Sequence, residues 1–214
     1  ARRPGRTLAA PPAVLAPVEK TISAIGAITA PTVEHVDTIL RRLAATATAG
    51  GTRMVDLAAV ELTDRDVLLH LATPAHLPGP WTGSADGYHW QIPAGTAPDQ
   101  IGPPGDDQPA PYPLLATIGT GEAGQVWLLN LEGLQVTIDG DPLYAADLAR
   151  YLVAEIACNP WSTGSVVDCV GVGTELAGLN PDRVRVHDTR WDATDDPIGE
   201  ALLGAVRTVD RCAD

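Results

Sequence analysis

Lysine is all but missing from this chain: Lys20 is the only one in 214 residues, and it stands near the start. Chemistry that needs a lysine within the folded body is thereby excluded, whether a Schiff base or a phosphate-gripping P-loop. Positive charge is scarce in general, and the formal net charge is −13 at pH 7. A nonspecific nucleic-acid surface needs clustered Lys and Arg against the phosphates, so direct nucleic-acid binding is not expected. The arginines of the opening RRPGR lie beside Pro and Gly at a terminus and read as tail or linker. Phenylalanine is absent too, and with 45% hydrophobic residues the expected core is aliphatic.

Cysteine is the next shortage. Cys158, Cys169 and Cys212 make neither an even disulfide set nor a close pair. A Cys158 to Cys169 bridge is sterically conceivable, but a reduced cytoplasmic chain is the preferred reading. No apolar run approaches the ~20 residues that span a bilayer, so no membrane insertion by this stretch is expected. Ala1 rather than a methionine opens the chain, which suits a fragment of something longer.

What is present is the patterning of an α/β domain. Residues 1–30 read as linker with a short helix over 17–28, and residues 31–108 as a front α/β segment. There Pro31 stands near the start of a helix whose Val33, Val36, Leu40, Leu43 and Ala47 share one face, closed by Gly50 and Gly51. MVDLAAVEL and VLLHLATP, joined across Asp64, Arg65 and Asp66, read as a hairpin, and DGYHWQIP as a turn and strand. A Pro-rich loop from Ala94 to Pro111 divides this half from residues 109–214, although the two halves can share one sheet.

In the rear half YPLLATIG, QVWLLNLEG and LQVTIDG read as strands, followed by the helix DPLYAADLARYLVAEIA with Asp141 as its N-cap. Asn159-Pro160 ends that helix, and Trp161 can close the end of the core. SVVDCVGVG then reads as an apolar strand, TELAGL as a short helix, RVRVHD as a strand and PIGEALLGAVRTVDR as a closing helix. The expected fold is α/β, a mixed and partly parallel sheet flanked by helices, preceded by a helix and antiparallel strands.

Candidate chemistry is thin. Gly119-Thr-Gly121-Glu-Ala-Gly124 matches G-x-G-x-x-G, but a strand pattern follows where a dinucleotide site needs a helix N-terminus, so it reads as a hairpin turn. A kinase-like reading lacks its strand lysine, catalytic loop and metal site. Gly171, Gly173, Thr174 and Glu175 follow an apolar strand, the place where α/β sheets hold ligands, and form a candidate small-ligand loop. They lack a third spaced glycine and a Walker lysine.

His187 with Asp188 ends a strand and is the candidate catalytic pair for a hydrolase or transferase. No G-x-S-x-G elbow, HExxH, H-x-E or C-x-x-C is present, so no nucleophile, metal site or cofactor is assigned. Asp139, Asp141 and Asp147 bracket a helix start, where capping is the simpler reading than metal binding. Trp81, Tyr88 and Trp90 flank the front turn and, if exposed, would make a partner-binding patch.

YPLLATIG, WLLNLEGL, DLARYLVAEIACNPWS and VVDCVGVG, with VELTDRDVLLHLATPAHLPGPW and DGYHWQIP ahead of them, carry a resemblance. Together they resemble an uncharacterised α/β region of large actinobacterial membrane-tethered proteins, which combine membrane helices, a LysM domain and a bacterial transcriptional-activator-like domain. The resemblance covers roughly residues 35–190. It implies an internal domain on the cytoplasmic side, tethered through its parent, acting as a noncatalytic scaffold or regulatory interaction module. Its partner would be a protein or another domain of the parent chain. No LysM pattern and no helix-turn-helix with a basic face lies in these residues, and the resemblance supplies no catalytic or ligand residue.

Overall fold

Alternating burial along the strands sets the architecture of the computed structural model, which describes residues 33–105 and 108–187. Helix α1 spans Val33–Ala49 and buries Val36, Ile39, Leu40 and Leu43, a helical repeat that makes one apolar face. Strands β1 (Leu57–Leu62), β2 (Asp66–Leu71), β3 (Thr82–Gly83) and β4 (His89–Pro93) follow, then the short helix α2 (Pro98–Ile101). Next come β5 (Leu115–Thr120) and β6 (Val126–Asn130). These strands form one six-stranded antiparallel sheet in the order β3-β4-β2-β1-β6-β5.

Val67, Leu69 and Leu71 of β2 alternate with half-buried residues, as do Trp90 and Ile92 of β4 with exposed ones. This period of two turns one face of the sheet toward α1. The shared core includes Val60, Leu128 and Leu115. Each fully buried aliphatic side chain contributes roughly 1.5–3 kcal/mol. The Thr63 hydroxyl accepts from the amides of Arg65 and Asp66 and so shapes the β1–β2 turn at the expected place.

The front and rear halves share this sheet, because β6 pairs with β1. The Pro-rich stretch between them is strapped to α1. Arg42 donates to the Gly102 carbonyl at 2.7 Å, and Arg41, paired with Asp37, donates to the Gln108 carbonyl. A Cβ on Gly105 would stand 2.5 Å from the Arg41 carbonyl oxygen, so only glycine allows the loop to lie this close.

Helix α3 (Pro142–Cys158) starts on the Asp141 carboxylate, which accepts from the Leu143 amide at 2.8 Å, and stops at Asn159-Pro160. After a 3-10 turn at Pro160–Ser162, β7 (Val167–Val170) and β8 (Val184–His187) pair in parallel as a separate two-stranded sheet. The fold is thus α/β, with antiparallel and parallel pairing and flanking helices, and the parallel pairing is confined to β7 and β8. Val153 and Ala157 of α3 pack with Cys169 and Val184 in a small second core.

One expectation needs correction. LQVTIDG forms no strand: residues 134–139 are irregular, with Leu134 and Val136 about half exposed, because α3 already lies against the β5 edge where another strand would pair. The short helix expected over TELAGL is present as one 3-10 turn at Thr174–Leu176. The closing helix expected over PIGEALLGAVRTVDR and the short one over 17–28 lie outside the described residues.

Candidate functional site

The first glycine string forms the β5–β6 hairpin, with the Gly121 amide bonding the Gln125 carbonyl at 2.8 Å and the Gly124 amide bonding the Gly121 carbonyl at 3.0 Å. Among the described residues β6 follows it directly in place of a helix N-terminus, so it lacks the strand-turn-helix geometry that holds a pyrophosphate.

The loop at Gly171, Gly173, Thr174 and Glu175 does lie after β7, but its groups are engaged internally. Gly173 has φ 79°, a left-handed conformation that favours glycine, and a Cβ there would press on the Cys169 Sγ at 3.3 Å. Thr174 opens the 3-10 turn. The Glu175 carboxylate meets Arg150 Nε at 2.5 Å. Its own backbone amide, and then Arg150, hold it below the usual carboxylate range. None of the three cavities described below is lined by this loop.

His187 finds a different carboxylate from the one expected. Its Nε2 lies 2.7 Å from Asp168 Oδ1 on the neighbouring strand. Asp188 lies outside the described residues. Next to Asp168, Cys169 is buried, and burial pushes its thiol up, with Asp168 and Glu175 acting in the same direction. A raised thiol is a poor nucleophile, so Asp168, Cys169 and His187 do not make an activated cysteine site. Cys158 and Cys169 are free thiols, the first exposed and the second buried.

Trp81 and Trp90 are only 5% and 6% exposed, which overturns their expected exposure. Both join the main core. Trp90 stacks over Gly83, where a Cβ would come within 2.7 Å of its ring, and shares its indole N–H between the Ala75 and Gly87 carbonyls. Tyr88 remains exposed. Around these residues lies a shallow cavity of about 760 Å³, lined by His76, Trp81, Ser84, Asp86 and their neighbours. A second of about 410 Å³, more apolar, lies under the end of α1, and a third of about 250 Å³ borders Leu68 and Gln91. The acid at the first, Asp86, is already bonded to Ser84 and to the Tyr88 amide, Ser84 first in holding its carboxyl low.

On the outer face of the sheet, Glu61 Oε2 lies 3.2 Å from His70 Nε2, and the His70 ring packs against both His89 and Trp127. Among the described residues no group of three or more His, Cys, Asp or Glu could hold a metal ion.

The feature that sequence reasoning missed is a half-open apolar stripe on α3, on the side that leads into Glu155 and the β5 edge. Tyr144, Leu148 and Tyr151 are spaced four and three residues apart, fall on one side of the helix, and are 74%, 37% and 41% exposed. Leu143 beside them is 66% exposed. The same helix buries Val153 and Ala157 on its opposite side, so it is apolar on both faces. A two-sided apolar pattern is readable from the residues alone; that one side is left open depends on which strand α3 packs against.

Where α3 meets the sheet, its side chains close the edge of β5. Glu155 Oε1 accepts from the Thr117 amide at 3.2 Å, and Trp161 Nε1 donates to the Leu115 carbonyl at 2.8 Å. Beside the open stripe, Asp147 Oδ1 accepts from Arg150 Nη1 at 2.9 Å, while Arg150 Nε meets Glu175. One guanidinium therefore serves two carboxylates. Comparison with protein family models, characterised proteins and solved structures returns no match for this chain. Among the described residues no helix is long and apolar enough to cross a membrane.

Proposed function

We propose that this chain is a noncatalytic protein-interaction or scaffold domain of a larger regulatory or cell-envelope-associated protein, and that α3 is its contact helix. The observation that carries this reading is the half-open apolar stripe, most exposed at Tyr144, of a helix whose opposite face is already packed. A helix apolar all round is normally buried all round, and a contiguous exposed apolar patch marks an interaction surface. The candidate polar groups, by contrast, are paired with one another, His187 with Asp168 and Glu175 with Arg150. On this reading the domain sits on the cytoplasmic side, tethered through its parent, and binds a protein or a neighbouring domain of that parent.

The experiment is site-specific photocrosslinking in the producing cell. A photoreactive residue at position 144 should give a discrete crosslinked product that disappears when Leu148→Ser is added; one at position 84 should not. Equal crosslinking from both positions would defeat the proposal.

A further inference from the structure

The partner's chemistry can be taken further, and this step rests on the reading of α3 as the contact helix. The apolar stripe from Tyr144 to Tyr151 covers eight residues, about 10 Å from first to last along the helix axis, the footprint of two turns of a second helix packed ridge into groove. Asp147 lies three residues after Tyr144 and four before Tyr151, so its carboxylate stands at the border of the stripe between two phenol rings. Its side chain is 60% exposed. Among the described residues the cation in this cluster is Arg150, which is shared between Asp147 and Glu175. Two carboxylates around one guanidinium leave one negative charge over. Asp141, exposed at the start of α3, adds another of the same sign.

We infer that the occupant of this face is an amphipathic helix of another protein segment, with a Leu-type apolar ridge on the stripe and a Lys or Arg placed at Asp147 between Tyr144 and Tyr151. The cation would balance the excess carboxylate and lie against the faces of the phenol rings, an arrangement whose electrostatic attraction grows as water is displaced. An acidic amphipathic helix would meet like charge at the same place. A second copy of this strongly acidic chain would do so too.

The test uses synthetic amphipathic peptides as probes. One has a leucine ridge flanked by lysines, and its twin has glutamates in place of the lysines. Fluorescence anisotropy of each labelled peptide against the full chain should show at least tenfold tighter binding of the lysine peptide. That preference should collapse in about 1 M salt, where the screening length is ~3 Å. D147N should weaken the lysine peptide about threefold, and D147K should reverse the preference. The double variant Tyr144→Ser with Leu148→Ser should abolish binding of either peptide while the chain stays folded, with its melting temperature lowered by no more than a few degrees.

If both peptides bind equally and the double variant abolishes both, the surface stands as a contact face and the basic-partner inference falls. If the lysine peptide binds the double variant as well as the parent chain, its attraction is diffuse charge and the inference falls. No binding of the lysine peptide, or dimerisation through α3 in sedimentation, likewise overturns it; the crosslinking experiment then decides the wider reading.

Discussion

The two cores of this molecule treat their hydrophobic residues differently. Around the six-stranded sheet, residues 33–116 put their large apolar side chains inside, and Tyr88 is the lone one exposed among the described residues. From Ile118 to Leu179 ten large apolar residues stand out in solvent, while the core beneath α3 has only Val153, Ala157, Cys169 and Val184 as its buried members. Among the described residues, a core that small does not by itself offset the backbone entropy of ordering α3, β7 and β8. The rear unit is therefore held by its attachment to the sheet, through Trp161 and Asn159 on the Leu115 carbonyl, Ser162 on the Pro113 carbonyl and Glu155 on the Thr117 amide. Within the rear unit, Arg183 donates to the carbonyls of Ile156, Ser162 and Ser165 and ties β8 back to that junction.

The strongest way to break the contrast is Trp161→Ala. It removes a core indole and the bond to Leu115, and should cost about 3–5 kcal/mol in chemical denaturation. Hydrogen exchange should show protection lost first in α3, β7 and β8; uniform loss over β1, β2 and β4 would refute the dependence of rear on front. Glu155→Ala takes the acceptor from the Thr117 amide on the sheet edge and should cost about 1 kcal/mol. Tyr144→Ser, at the most exposed position of the stripe, should change stability by less than about 0.5 kcal/mol, while Leu148→Ser, mostly covered, should cost about 1 kcal/mol.

Two titrating groups sharpen the comparison by pH and reactivity. Burial holds the Tyr112 phenol well above its ordinary value, and its hydroxyl donates to the Val55 carbonyl at 2.5 Å. The folded chain keeps that proton where the unfolded chain releases it, so stability falls as pH rises past about 10. Denaturation midpoints measured from pH 9 upward in steps of about one unit should decline, and Tyr112→Phe should flatten that decline. In the rear core, native-state alkylation near pH 8 should modify exposed Cys158 and spare buried Cys169. Equal labelling would mean that the small core opens freely.

Much of the fold was legible because its signals are local. The helical repeat of α1, the β1–β2 turn, the hairpin at Gly119 to Gly124 and the helix stop at Asn159-Pro160 all follow from residues within a few positions of one another. The pairing of β6 with β1 joins residues far apart in sequence, and neither strand's pattern specifies its neighbour. Trp81 and Trp90 looked available because they flank a turn, yet their burial comes from packing across loops 74–78 and 82–87. His187 was paired in reading with its sequence neighbour; the parallel register of β7 and β8 supplies Asp168 instead. The outer stripe of α3 went unread for the same reason, since exposure is decided by partners the periodicity does not name.

The Trp161 junction also determines how the molecule carries load. Tension on the chain at His187 reaches the six-stranded sheet through an indole, an amide and a hydroxyl seated on carbonyls of residues 113 and 115, with no strand ladder between the two sheets. Such side-chain anchors release one after another, whereas the ladder joining β1 to β6 must shear or unzip through its paired residues. Under force the segment from Asn159 onward comes away first, at low tension, and the sheet with α1 stays whole as a separate mechanical unit.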